Sequence, residues 1–230
     1  YFMWVFRNGD RTILVDTGYD TAEGTRRDRP IRMDPVEALA PLGLLPGEID
    51  QLIVTHLHYD HAGGLHLFPN ATLHLQEAEM AYATGPCMCH GALNHPFSAD
   101  HVCEAVKRIY AGRVVFYDGS GEVAPGVTVH RIGGHSRGLQ AVRVETEAGP
   151  MCLASDAAHY YENAFSGKLF PIVADAREML EGFKTIQKLA GHRGLLIPGH
   201  DPLVRDLFPR HEQADWINRL DLGPIRALPF

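Results

Sequence analysis

At 230 residues and 25.4 kDa, with 45% hydrophobic residues, the chain is long enough to bury a full core as one domain or as a tightly fused pair of half-domains. A net charge of −7 argues against nucleic acid or an anionic membrane as its main partner. No apolar run approaches the ~20 residues that span a bilayer, and the sparse use of cysteine (four residues) suits a reducing cytoplasm, the expected location.

The opening Tyr1-Phe2-Met3-Trp4-Val5-Phe6 is too short for a signal peptide and lacks its basic flank and cleavage site, so it reads as a strand. Starting in a strand and without Met, the chain is expected to be preceded by further residues in the full gene product. Segments 2–7 and 12–16 flank Asn8-Gly9-Asp10, a hairpin signal. The second strand ends in Asp16-Thr17-Gly18, where the carboxylate is expected to brace a neighbouring group rather than ligate a metal itself. Residues 20–33 read as a charged, irregular surface lobe. Asp34-Pro35 opens a helix to about Leu42, stopped by Gly43.

A short buried strand, 51–55, runs into Thr55-His56-Leu57-His58-Tyr59-Asp60-His61-Ala62-Gly63-Gly64. This stretch packs three imidazoles and a carboxylate between His56 and His61. Imidazole nitrogen and carboxylate oxygen are ligands for Zn2+ and neighbouring first-row metals. A helix would spread the four side chains around its axis, whereas a loop turns them all inward, so a metal-binding loop at a strand end is expected.

Further on, 72–75 reads as a strand, 77–84 as a helix, 85–100 as a long loop and 100–111 as a helix. Within the loop, Cys87-Met88-Cys89-His90 lacks a second Cys/His pair at zinc-finger spacing and reads as reduced thiols. Strands follow at 114–117 and 127–131 around a turn region, 119–126, then at 140–146 and 151–155. Asp175 caps a helix to Leu189 whose Met179, Phe183, Ile186 and Ala190 share a core face. The last strand, 194–197, leads to Pro198-Gly199-His200-Asp201. Strand ends thus carry a His or Asp repeatedly: Asp16, His56, His135, Asp156 and His200. Five such ends fit a metal centre at a sheet edge.

With Thr55–Gly64, Gly134-His135, Ser155-Asp156 and Gly199-His200 in this order, and Asp16-Thr17-Gly18 ahead of them, the chain resembles the metallo-β-lactamase superfamily over nearly its whole length. The resemblance implies an α+β fold, an αββα sandwich of two mixed β-sheets flanked by helices, as a single domain over residues 1–230. It implies two divalent ions, Zn2+ foremost, with Fe, Mn or Co as alternatives. His56, His58 and His135 would hold the first, and Asp60, His61 and His200 the second, with Asp156 bridging both alongside a hydroxide. Asp156 stands where β-lactamases of the superfamily often carry Cys, which counts against β-lactam cleavage. Within the superfamily the closest resemblance is to N-acyl homoserine lactonases, the quorum-quenching hydrolases. It rests on His58–Gly64, Gly133–Gln140, Leu153–Ala158 with Tyr161-Glu162-Asn163, and Ile197–Asp201. Those enzymes carry a Tyr three residues after the bridging Asp; this chain has His159 there, followed by Tyr160.

The chemistry this implies is attack of the hydroxide on a lactone carbonyl, with Asp60 as proton shuttle and His159 or Tyr160 as the helper near the carbonyl. Asp16 and Asp201 are candidates for bracing the ligands. Tyr82, Phe97 and Phe165 are expected either as ordinary core or as the lining of an acyl-chain cleft. The alternative activities are a glyoxalase II-like thioesterase and, from another class, a mononuclear-iron persulfide dioxygenase. The complete second ligand set favours the hydrolase. The expected partner is a small-molecule lactone or ester; neither nucleic acid nor membrane is expected. A homodimer through the N-terminal lobe, common among such relatives, is a further expectation.

Overall fold

Every segment that reads as a strand in the first half of the chain joins one sheet. A computed structural model describes all residues except Asp10, and they fall into two compact units, 1–117 and 118–230.

In the first unit, β1 (Trp4–Asn8) and β2 (Arg11–Val15) form an antiparallel hairpin with Trp4 opposite Val15 and Asn8 opposite Arg11. Gly9 takes the left-handed conformation (φ 59°) its turn requires; Asp10, the last member of the expected turn, lies outside the described residues. Strands β3 (Gln51–Ile53), β4 (Thr72–Gln76) and β5 (Val114–Tyr117) add in parallel, giving the order β1-β2-β3-β4-β5. Leu14, Leu52, Ile53, Leu73 and Leu75 are fully buried, as central strands covered on both faces require.

The helices of this unit are α1 (Thr21–Arg26), α2 (Pro35–Leu39), α3 (Tyr59–Ala62), α4 (Glu77–Ala83), α5 (Gly91–Asn94) and α6 (Ala99–Tyr110). Three corrections to the sequence reading arise here. Residues 20–33 are not wholly irregular: Asp20 caps α1 by accepting from Glu23 N at 2.9 Å, and Glu23 pairs with Arg26 and Arg27. The 85–100 stretch is not a plain loop but holds a 3-10 turn, Pro86–Cys89, and α5. The metal-loop stretch itself includes the single turn α3, which His58 precedes without a side-chain capping bond. Beside these, α2 continues as a 3-10 turn to Leu42 and ends at Gly43 (φ 67°), as expected. The Arg108 guanidinium of α6, 1% exposed, donates to Leu65 O, Phe68 O and Ala71 O at 2.7–2.9 Å, tying the chain beyond α3 into the core.

In the second unit the sheet order is β10-β9-β8-β7-β6, from β6 (Ser120–Ala124), β7 (Val127–Arg131), β8 (Gln140–Thr146), β9 (Gly149–Ser155) and β10 (Leu196–Pro198). The expected 119–126 turn is therefore mostly a strand: it pairs with β7, leaving Gly126 (φ 81°) for the turn. β10 runs parallel to β9, with Pro198 opposite Ser155. It is not the last strand, since a small hairpin, β11 (Arg210–His211) and β12 (Ala214–Asn218), follows it. Helices α7 (Tyr161–Ser166), α8 (Ala176–Leu189) and α9 (Leu203–Leu207) complete the unit. Asp175 caps α8 by accepting from Glu178 N, and Met179, Phe183, Ile186 and Ala190 are buried, as their spacing predicts. No helix among the described residues is long and apolar enough to cross a membrane.

Candidate metal centre

In the first unit the ligand-type residues follow the C-terminal end of β3. Parallel pairing of β3 with β2 brings Asp16 beside this point, where Asp16 N donates to Ile53 O at 2.9 Å. The Asp16 carboxylate accepts three bonds: from Thr55 N (2.7 Å), from Thr55 Oγ1 (2.8 Å) and from His61 Nδ1 (2.7 Å). Its backbone sits in the left-handed region (φ 57°), which Asp tolerates better than most residues. The bond to His61 Nδ1 fixes the imidazole so that Nε2 faces Asp60 Oδ2 at 3.7 Å. Asp16 is thus a bracing residue, as the sequence suggested.

The two residues of the His-x-His step are oriented separately. His56 Nδ1 lies 3.2 Å from Thr55 Oγ1, and His56 Nε2 lies 3.0 Å from His58 Nδ1, so two ring nitrogens meet. Between them, Leu57 N donates to Oε1 of Glu79, a fully buried carboxylate on α4, at 2.8 Å. The sequence reading passed over Glu79. Its signal was faint: a carboxylate three and four residues before the buried Tyr82 and Ala83, hence on the same inward face of α4. His58 is backed by Phe97, with ring centroids 4.5 Å apart and the planes at 88°. Tyr82 meets Phe97 edge to face in turn. Both aromatics are buried, in line with the ordinary-core alternative, and together they back His58.

Tyr59 and Asp60 sit on α3. The Tyr59 ring lies under the Arg27 guanidinium (4.0 Å), and its hydroxyl meets Arg29 Nη1 at 2.7 Å and Tyr1 Oη at 3.0 Å. Burial first, then the adjacent Asp60 charge, holds that hydroxyl well above the ordinary tyrosine range. Gly63 allows the turn after α3: a Cβ there would lie 2.3 Å from Tyr59 O and 2.6 Å from Tyr19 Cβ. His56, His58, Asp60 and His61 are all buried.

In the second unit, Asp156 follows β9 and His200 follows β10, and the parallel pairing of these strands puts them side by side. His200 Nε2 stands 2.9 Å from Asp156 Oδ1. Gly199 makes this approach possible, because a Cβ there would fall 2.5 Å from Asp156 Oδ1. His135 reaches the same carboxylate, Nε2 to Oδ2, at 3.3 Å. Its position is set by Gly134 O, which accepts from Ala174 N and Asp175 N at the start of α8. His159 Nε2 lies 2.9 Å from Asp156 Oδ2. Donor atoms of His135, Asp156 and His159 lie within 4.8 Å of one another.

The second unit treats the remaining candidates unequally. Tyr160 is 47% exposed, and no described hydrogen bond or ring contact joins its side chain to His135, Asp156 or His200; its backbone N–H donates to Asn163 Oδ1 at the start of α7. Asp201 is a turn residue, accepting from Tyr161 N and Leu203 N at 3.0 Å each, and braces no ligand ring in the described contacts. Phe165 stacks on Tyr161 and under Arg193. Phe170, which the sequence reading did not single out, stacks on His159 at 3.9 Å. Cys87 and Cys89 are free thiols, with Cys89 exposed.

Each unit therefore presents buried or half-buried nitrogen and oxygen donors, held in place by neighbouring side chains and backbone. That is the donor chemistry and support a divalent ion such as Zn2+ requires.

Comparison with known proteins agrees with this geometry. A model of the metallo-beta-lactamase superfamily matches residues 1–227. The N-acyl homoserine lactonase AttM of Rhizobium johnstonii is 30% identical over 180 residues, covering 76% of this chain and 66% of that protein. An N-acyl homoserine lactonase from a Bacillus species is 29% identical over 168 residues, covering 72% of this chain and 61% of that protein. The chain thus spans just under two-thirds of the length of these relatives. A solved structure of an N-acyl homoserine lactone hydrolase, with the product N-hexanoyl-L-homoserine at its catalytic metal centre, superposes with a TM-score of 0.74. The match is 24% identical and covers 89% of this chain and 82% of that one. At that identity the likeness establishes the fold, which is the α+β class expected from the sequence.

Proposed function

The chain belongs to the metallo-β-lactamase superfamily, and from that premise we propose that it is a metal-dependent hydrolase that opens the ring of an N-acyl homoserine lactone-like substrate. The observation that carries this reading is the pair of braced donor sets. Asp16 holds His61 in one unit, and His135 and His200 converge on Asp156 in the other. The names of its relatives support the lactone as substrate class.

In this proposal His56, His58 and His135 would hold one divalent ion and Asp60, His61 and His200 a second, with the Asp156 carboxylate available to both. Zn2+ fits these donors best, with Fe, Mn or Co as alternatives. Bound there, such ions lower the pKa of water towards neutrality and polarise an ester carbonyl. The chain's own residues do the rest. Asp16, through Thr55 and His61, and Glu79, through Leu57 N, hold the ligand rings in place so that no reorganisation is needed during reaction. Water oxygen adds to the carbonyl carbon, the ring acyl–oxygen bond breaks, and Asp60 carries the water's proton to the departing alkoxide. His159, rather than Tyr160, is the additional side chain at the Asp156 end. The proposal takes residues 1–230 as one functional domain, active in the cytoplasm on a small molecule and assembled as a homodimer.

The test is a substrate panel. The Zn2+-loaded protein is assayed against N-acyl homoserine lactones and against thioesters, with His56→Ala as the blank. The reading expects kcat/KM for the lactones at least about tenfold above that for the thioesters. The reverse order would replace it with the thioesterase, and no hydrolysis of either would end it.

A further inference from the structure

We propose that His159 is itself a metal ligand, forming with His135 and Asp156 a two-histidine, one-carboxylate set drawn entirely from residues 118–230. The inference rests on the metal-dependent reading above and assigns this ring to the ion that His135 is proposed to hold.

The first argument is spacing. Metal–nitrogen and metal–oxygen bonds of about 2.0–2.2 Å put neighbouring ligand atoms about 3.0 Å apart in an octahedral shell and about 3.4 Å apart in a tetrahedral one. His159 Nε2 lies 2.9 Å and His135 Nε2 3.3 Å from Asp156 Oδ2. The first distance is also that of an ordinary hydrogen bond, whereas the second lies just beyond the usual N–H···O range of about 2.7–3.2 Å; both fit the edges of one ion's ligand shell. All three donor atoms lie within 4.8 Å of one another, the compactness one ion demands.

The second argument is orientation. One face of the His159 ring is held by Phe170, which offers no ligand atom. The two rings stack with centroids 3.9 Å apart and planes 28° apart, and His159 meets the edges of His135 and His200 at 5.3 and 4.7 Å. Its backbone is fixed as well, since His159 O accepts from His200 N at 3.0 Å. The ring is therefore aimed before any ion arrives, which lowers the ordering cost of binding.

The third argument is chemistry. Neutral imidazole is the commonest metal-ligand side chain, and His159 adds such a nitrogen beside His135 and the Asp156 carboxylate.

The experiment uses the full chain loaded with Zn2+ and challenged with graded chelator, comparing the native protein with His159→Ala and His159→Tyr. Both variants are expected to release one equivalent at least about tenfold more readily than the native protein. The Co2+-substituted proteins are expected to show shifted d–d bands. In native protein carrying 15N-histidine and 113Cd, a cadmium–nitrogen coupling is expected at His159 Nε2, which needs no variant and so does not depend on variant folding. Native chelator resistance in both variants with unchanged Co2+ spectra, or absence of the coupling, would overturn the assignment. A native protein that shows the coupling but opens no lactone would defeat the functional reading instead and leave the ligand assignment standing.

Discussion

The Asp16 carboxylate and the His61 imidazole are joined at 2.7 Å across 45 positions of sequence, with Asp16 fully buried and in a left-handed backbone conformation. This one bond selects which ring nitrogen of His61 faces Asp60. Asp16→Asn keeps a residue that accepts the backbone conformation but removes the anionic acceptor. It is expected to weaken metal binding by about 10–100-fold, measured by competition with a chelator. Asp16→Ala adds the backbone strain, of about 1–2 kcal/mol, and should unfold at a lower temperature than Asp16→Asn. Equal metal affinity in Asp16→Asn and the native protein would remove Asp16 from the account.

Glu79 bears on the same stretch from the other side. Its Oε1 accepts the Leu57 amide between His56 and His58. Glu79→Gln retains a carbonyl acceptor, whereas Glu79→Leu strands a buried amide at a cost of about 1–3 kcal/mol. The expected outcome is near-native metal content for Glu79→Gln and a clear loss for Glu79→Leu, read by elemental analysis after gel filtration. Indistinguishable variants would show that the bond does not position the histidines.

Gly199 tests the second unit. A methyl group there would meet Asp156 Oδ1 at 2.5 Å and Ser155 O at 2.9 Å. Gly199→Ala should displace the Asp156 carboxylate, destabilise the protein by about 1–3 kcal/mol and reduce metal binding. Gly91, with nothing within 4 Å of an added Cβ and at the start of α5, is the control: Gly91→Ala should be neutral or slightly stabilising in the same melting experiment.

His74 sets a pH dependence unrelated to the metal centre. It is buried on β4 between Tyr117 Oη (2.8 Å) and Gln51 Oε1 (2.6 Å), and burial pushes its pKa down to about 4. The unfolded chain, with an ordinary histidine pKa near 6.5, therefore binds a proton that the folded chain refuses. The stabilisation is fully present above about pH 6.5 and is lost as pH falls towards 4, a change of about 3 kcal/mol. Urea midpoints of the native protein should drop between pH 7 and pH 5, and those of His74→Gln should drop less. Parallel declines would locate the dependence elsewhere.

Much of this was legible in the sequence where one residue type carries one physical meaning. Asp34-Pro35 and Asp175 opened helices because a carboxylate before the first turn satisfies amides that the helix leaves open. His56, His58, Asp60 and His61 stood out because four ligand-type side chains in six residues have few other uses. What stayed hidden depends on long-range pairing. β6 is a polar edge strand, Ser-Gly-Glu-Val-Ala, which only its ladder with β7 defines. α1 and α5 are too short to show a period. The difference between Asp16, which braces a ligand, and Asp201, which caps a turn, lies in partners tens of residues away and not in either local motif.

The most direct test of the central claim is product analysis in H2 18O. An N-acyl homoserine lactone is incubated with the metal-loaded protein and the product resolved by mass spectrometry. Ring opening by attack on the lactone carbonyl predicts an intact N-acyl homoserine carrying one 18O in its new carboxylate, absent with His56→Ala. Free fatty acid with unopened homoserine lactone, or substrate recovered unchanged, would contradict the account.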